Sequence, residues 1–293
     1  MSEKIVVGSR GSKLALAQTK KVLDRLVAEG YDVQLKIIKT EGDIMKDKPL
    51  HEFKGRGAFV RAIDQALAKG EIDVAVHSYK DVPTARVEGT VIAAVLERDS
   101  PCDVLISRDG RRFEELPNGA LIGTSSLRRR AQLLRLKKDL RFGILRGNLD
   151  TRIRKLKEGF YDAIVVAEAG IQRLGIDIRY HRFSPEILVP AANQGIIAVA
   201  TRKGEEELVN FMNDEKTWIE AEVERAVVRE LGIGCAIAAG VYAEVLGDSV
   251  RLICEIFGDR YVRVDEKLSK SLAIKEAEEV ARRIKVCLWG KST

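Results

Sequence analysis

Four short runs of the chain combine small hydroxyl or glycine residues with cations, each where an apolar strand pattern gives way to a helical one. They are Ser9-Arg10-Gly11-Ser12, His77-Ser78-Tyr79-Lys80-Asp81, Gly123-Thr124-Ser125-Ser126-Leu127-Arg128-Arg129 and Arg146-Gly147-Asn148. Free backbone amides at a helix N-terminus, with Ser or Thr hydroxyls beside them, bind anions, and arginine adds bidentate contacts suited to carboxylates. Any one run is equally well read as ordinary helix capping. Together, with arginines at or beside three of them and a lysine at the fourth, they describe an anion cleft. Asp81 is the odd member, a carboxylate among cations. For an isolated Asp a helix cap or an ion-pair partner is the plainer reading. In a cationic cleft the ionised form is favoured, and it would stabilise a positively charged intermediate or hold ligand N–H groups. The sequence has no Ser-His-Asp set, Walker loop or zinc cluster, so Asp81 is the leading catalytic candidate by elimination.

A second chemical feature is Cys235 in Leu231-Gly-Ile-Gly-Cys-Ala-Ile-Ala-Ala-Gly240. A free cysteine is usually a small buried hydrophobe, but the flanking glycines suit a loop that presents a thiol. Cys102, Cys254 and Cys287 lie in ordinary contexts, and no C-x-x-C pair occurs. With only three scattered histidines, metal sites and disulfide frameworks are disfavoured. The net charge is +6, and Arg128 to Lys157 holds twelve Lys or Arg against Asp139 and Asp150. Such crowding calls for an anionic partner, whether nucleic acid, phosphate or a polycarboxylate.

The elements that must position these residues follow from periodicity. KIVVGS, VQLKIIKT and DVAVHS read as strands around helices at Lys13–Glu29 and Gly57–Lys69, a βαβαβ pattern that predicts a mostly parallel, doubly wound sheet. VIAAVLER leads to a loop at Ser100-Pro101-Cys102-Asp103. A second series then runs through VLISR, ALIGTS, a helix from Leu127, RFGILRG, a further helix and AIVVAEAG, after which come EILVPA and GIIAVATR. In a doubly wound sheet the C-terminal strand ends meet at one crevice. Beyond Cys235, short alternating runs split by Gly-Asp pairs predict antiparallel hairpins, closed by a helix over Ala273–Leu288. The expected domains are 1–97 with 196–214, 98–195 and 215–293. No apolar run of membrane-spanning length and no secretory signal pattern is present, which places the protein in the cytoplasm, away from membranes.

At this point the motifs resemble those of the porphobilinogen deaminase (hydroxymethylbilane synthase) family. The resemblance runs through SRGSKLALAQ, TEGD, KGRGAFVRA, HSYKDVPT, GTSSLRRRAQL, LRGNLDTRIRKL, YDAIVVAEAGIQRLG, PAANQG and ERAVVRELGIGCAIAAG. It implies two periplasmic-binding-protein-like α/β domains and a small α+β third domain. It also implies an enzyme, a transferase that condenses four porphobilinogen molecules head to tail with loss of ammonia and then releases hydroxymethylbilane, a step of tetrapyrrole biosynthesis. The growing chain is built on one covalent dipyrromethane cofactor, which the resemblance attaches to Cys235 by a thioether. Asp81 would sit by the pyrrole nitrogens and stabilise the azafulvenium cation. Lys80, Thr124, Ser126, Arg128, Arg129 and Arg146 would hold the cofactor, and Arg10, Ser12, Arg56, Arg152, Arg173 and Gln194 the substrate. No metal is implied, and a monomer acting on a small molecule is expected.

This sequence departs from the family pattern at Lys13, where a proline is common, and at Arg56 and Arg61, which replace lysines. Asp150 stands beside the anion-binding loop, Asn193 precedes Gln194, and AIAAG follows the cysteine. Two rival functions are weaker. A two-domain anion sensor would need neither Asp81 nor a presented thiol. A nucleic-acid binder would want stacking aromatics, yet the basic stretch offers only Phe142 and Phe160 nearby.

Overall fold

The computed structural model describes residues 4–39, 60–233 and 237–290. The chain divides into two compact units, Met1–Asp99 with Gly195–Trp218, and Ser100–Gln194 with Ile219–Thr293.

In the first unit, β1 (Lys4–Ser9), β2 (Asp32–Ile37), β3 (Val74–Ser78), β4 (Thr90–Val95) and β10 (Ile197–Arg202) form a five-stranded sheet in the order β2-β1-β3-β10-β4. β1 runs parallel to β2 and β3, whereas β10 runs antiparallel to β3 and β4. The sheet is mostly parallel, as expected, with β10 alone running against the other four strands, because the fourth position is filled by a strand from much later in the chain. The inner strands read as near-continuous apolar runs because helices cover both faces. Val74 and Val76 face α1 (Lys13–Ala28) with Val22 and Leu26. Ala75 faces α2 (Arg61–Ala68) with Ile63, Ala66 and Leu67. The buried stripe of α1 is Gln18, Thr19, Val22 and Leu26, so its first half buries polar groups.

The second unit carries a sheet of the same kind. β5 (Asp103–Ser107), β6 (Leu121–Gly123), β7 (Arg141–Gly143), β8 (Ala163–Ala167) and β9 (His181–Arg182) take the order β7-β6-β8-β5-β9. β6 is parallel to β7 and β8, and β5 is antiparallel to β8 and β9. Around it lie α3 (Leu127–Leu136), α4 (Leu149–Lys157) and α5 (Glu168–Arg173). The run EILVPA is not a strand. Ile187 and Leu188 both donate to the Ser184 carbonyl in a turn, and Pro190, lacking an N–H, only accepts, from Val241 at 2.9 Å. After α6 (Glu207–Asn210) and α7 (Glu215–Leu231), the expected hairpins appear as β11 (Ala238–Leu246), β12 (Ser249–Phe257) and β13 (Tyr261–Ser269). They form an antiparallel sheet packed on α8 (Ala273–Trp289), with Gly247 at φ +61 making the first tight turn. The fold class is thus α/β with a small α+β C-terminal region. Among the described residues no helix is long and apolar enough to cross a membrane.

β11 is an edge strand whose outward amides would be unpaired without help. Glu224, fully buried on α7, accepts from Ala243 N–H at 2.8 Å, and Glu220 one turn earlier accepts from Val245 N–H at 3.1 Å. With Pro190 serving Val241, three successive outward amides of this edge have acceptors. Gly240 lies where this edge meets the 189–190 segment. A Cβ there would sit 2.6 Å from the Val189 carbonyl oxygen and 2.7 Å from Gln132 Nε2. Gly240→Ala is therefore expected to lower the unfolding free energy by about 1–3 kcal/mol, read as a lower denaturation midpoint in urea at unchanged slope.

Candidate active site

Parallel neighbours bring their C-terminal ends to one side of a sheet, and the chemistry-bearing runs sit at those ends. In the first unit Gly8 pairs with Ala75, so the segments after β1 and β3 emerge together. Ser12 caps α1, accepting from Ala15 N–H at 3.3 Å. Thr19 Oγ1 meets Ser9 Oγ at 2.6 Å, and Gln18 Nε2 donates to Ser78 Oγ at 2.7 Å, so the buried polar stripe of α1 ties down both strand ends. Arg10 and Ser12 are half-buried on this rim, and Lys80 and Asp81 are exposed.

The segment after β3 does not begin an α-helix. Tyr79–Asp81 makes a single 3-10 turn, closed by Val82 N–H on the Tyr79 carbonyl at 3.0 Å. Val82 is extended at φ −78, ψ 120 because Pro83 follows and disfavours helical geometry in the residue before it. Asp81 is consequently carried on a short, tight turn and not at a helix N-terminus.

In the second unit Gly123 pairs with Gly143, so the segments after β6 and β7 lie side by side. Ser125 Oγ donates to the Leu145 carbonyl at 2.8 Å and Tyr161 OH to the Ile144 carbonyl at 2.6 Å. Thr124 Oγ1 accepts from Ser126 N–H at 3.2 Å, and Ser126 Oγ caps α3 by accepting from Arg129 N–H at 3.3 Å. Arg146 and Arg152 are half-buried on the adjoining rim, where Arg152 Nε holds the Gly147 carbonyl at 2.8 Å. Position 147 takes glycine for its φ of +106, and a Cβ there would also lie 2.9 Å from Thr151 Cγ2. Arg173 ends α5, the helix that leaves the same end of the sheet after β8.

Arg128, Arg129 and Gln194 turn inward. The Asp103 carboxylate is fully buried; Arg128 Nη2 donates to its Oδ2 at 2.7 Å, and Arg129 Nε and Nη2 to its Oδ1 at 3.1 and 2.7 Å. Gln194 Nε2 adds a donor at 2.9 Å and also reaches the Pro101 carbonyl at 2.7 Å. Arg128 Nη1 and Arg129 Nη1 hold the Val189 and Val165 carbonyls at 2.8 and 2.9 Å. From the sequence both guanidinium groups were expected on bound carboxylates, whereas here those donors are committed to the chain itself. Asp103 escaped the sequence reading because its partners are 25 and 26 residues away. The signal available was a pair of adjacent arginines with a carboxylate at the start of an apolar strand. Arg56 and Cys235 lie outside the described residues. Among the described residues no group of His, Cys, Asp and Glu could hold a metal ion.

Burial pushes the Asp103 carboxyl up, but Arg128 and Arg129 outweigh it and hold the group well below the usual carboxylate range. A carboxylate depressed in the folded state gives stability that is complete above its unfolded pKa and lost as pH falls through the folded one. Asp103→Asn, which leaves two buried cations without a counter-ion, is expected to cost about 3–5 kcal/mol at neutral pH. The gap between wild type and variant should narrow once the pH drops below the ordinary value of 3.8, as followed by urea denaturation across an acid series.

Two family models match the chain in order. One is described as "Porphobilinogen deaminase, dipyromethane cofactor binding domain", over residues 5–210. The other is described as "Porphobilinogen deaminase, C-terminal domain", over residues 218–288. A "Probable porphobilinogen deaminase" of Archaeoglobus fulgidus is 68% identical over 289 residues, covering 98% of this chain and 99% of the relative. One of Methanocella arvoryzae is 48% identical over 95% of this chain and 93% of its own length. Among solved structures, a YaeC-family lipoprotein of Enterococcus faecalis aligns at TM-score 0.44 and 14% identity over 74% of this chain and 93% of its own. With the models spanning nearly its whole length and relatives this similar end to end, the chain belongs to the porphobilinogen deaminase family, transferases with a dipyrromethane-binding domain.

Proposed function

We propose that the chain condenses four porphobilinogen molecules head to tail, releasing ammonia at each addition, and then hydrolyses the product free as hydroxymethylbilane. The observation that carries this reading is the composition of the two sheet ends. Each presents hydroxyls and cations, and the four runs that form them contribute a single carboxylate, Asp81. Porphobilinogen and every pyrrole unit derived from it bear an acetate and a propionate, so a chain of such units needs many cationic and hydroxyl donors. Arg10, Ser12 and Lys80 in the first unit, and Thr124, Ser126, Arg146, Arg152 and Arg173 in the second, supply that chemistry. These donors fit a dipyrromethane for the same reason. When bound, that group supplies the pyrrole carbon at which the first new bond forms, and Cys235 is the proposed point of attachment.

Asp81 does work that the cations cannot. Its carboxylate accepts hydrogen bonds from pyrrole N–H and offsets the positive charge that develops as ammonia leaves the aminomethyl carbon, a role that grows toward the transition state. The 3-10 turn carries it at the rim, where the residue is exposed. The buried Asp103 cluster, two guanidinium groups around one carboxylate, leaves net positive charge behind the Thr124–Ser126 turn and adds to the anion preference of the α3 N-terminus.

Two measurements test this reading. Intact-mass analysis of the purified protein is expected to show an adduct of two pyrrole units that maps to Cys235; active protein with a bare polypeptide mass would refute the attachment. Asp81→Ala is expected to fold normally and to lose about two to three orders of magnitude in kcat, the range seen when a charge-stabilising group is removed. Near-normal turnover would refute the role of Asp81.

A further inference from the structure

We propose that Asp64 is a positioning residue for the turn that carries Lys80 and Asp81. One buried carboxylate grips the chain on both sides of that turn. Upstream, His77 Nε2 lies 2.9 Å from Asp64 Oδ1. Downstream, Arg86 donates through Nη2 to Oδ1 at 2.7 Å and through Nε to Oδ2 at 3.1 Å. Asp64 is 1% exposed and His77 4% exposed. Burial raises the Asp64 carboxyl, but His77 and Arg86 outweigh it and hold it below its ordinary value. An ionised carboxylate only accepts, so Nε2 of His77 carries the hydrogen.

The topology explains why this grip matters at the rim. Along β3 successive side chains alternate between faces, so Ser78 points to α1, where it meets Gln18, and His77 points to α2, where it meets Asp64. The end of β3 is thus pinned to helices on opposite faces of its sheet. Between His77 and Arg86 the chain has only the one 3-10 turn and no other regular element. Its backbone is tied to the sheet by Tyr79 N–H on the Ile196 carbonyl at 3.0 Å. The returning half, after Pro83, is drawn back by Arg86. Both ends of an irregular segment are closed on a single carboxylate of α2, which fixes how far the Lys80–Asp81 apex stands out from the sheet. A group that must meet developing charge tolerates little displacement, and misplacement of about 1 Å costs on the order of 10²-fold.

This inference rests on the proposed role of Asp81, and the experiment separates the two. Asp64→Asn, Asp64→Glu and Asp81→Ala are compared as full-length holoenzymes, with kcat and KM for porphobilinogen referred to folded protein. Hydrogen exchange over residues 79–86 is measured on the same holoenzymes. Asp64→Asn is expected to lower kcat about 10- to 100-fold with KM little changed, and to speed exchange in 79–86 but not in α1. Asp64→Glu, which restores the charge, should recover most of the loss. Should Asp64→Asn fail to fold, Arg86→Gln releases the downstream anchor alone and is expected to give the same split. Unchanged kcat per folded molecule, or unchanged exchange in 79–86, with Asp81→Ala inactive, overturns the inference and leaves the role of Asp81 standing. Normal turnover by Asp81→Ala removes both.

Discussion

A carboxylate buried with two guanidinium groups organises the second unit. Asp103 stands at the first position of β5, its partners at the first turn of α3, and the carbonyls that complete the arginines belong to β8 and to the Val189 segment. Gln194 brings in the end of the unit's first stretch of chain. Ions this deeply buried are tolerable only when the cations share a counter-ion and their remaining donors are satisfied. That requirement forces four separate segments into one arrangement. The Thr124–Ser126 turn precedes the arginines directly, so its place at the sheet end is set from beneath by Asp103.

The first unit reaches a similar end by different means. Its rim is held by uncharged contacts on one face, Gln18 with Ser78 and Thr19 with Ser9, and by the Asp64 carboxylate on the other. In both units the strands whose ends bear the candidate site are parallel neighbours, β1 with β3 and β6 with β7. The antiparallel members, β10 and β5, run the other way and complete the sheet without adding to the rim. Mixed topology is therefore compatible with a site at C-terminal strand ends, because only the pairs that carry it need to be parallel.

Much of this was legible in the residues. The strand and helix patterns of both α/β regions, the Gly-Asp turns of the C-terminal hairpins, the closing helix and the cation-rich junctions all follow from period, turn chemistry and charge. Where the reading went astray, a longer-range or neighbouring effect prevailed. EILVPA has a strand composition, but its carbonyls serve the Arg128 and Gln132 side chains and one edge amide of β11 instead of forming a strand ladder. HSYKD resembles a helix start, yet Pro83 stops it after one turn.

The sequence by itself determined which chemistry is present: hydroxyls and cations at strand ends, one carboxylate among them, and a glycine-flanked thiol. Residue type and short spacing encode these, since a cap, a turn or a charge run needs only its neighbours. Only the tertiary structure decided which charges are buried against one another and which stay near the surface. Arg128 and Arg129 look no different in sequence from Arg146 and Arg152, yet the first pair is buried on Asp103 and the second lies on the rim. That sorting depends on which distant carboxylate the fold brings within hydrogen-bond reach, and local pattern carries no record of contacts closed across loops of 25 residues or more.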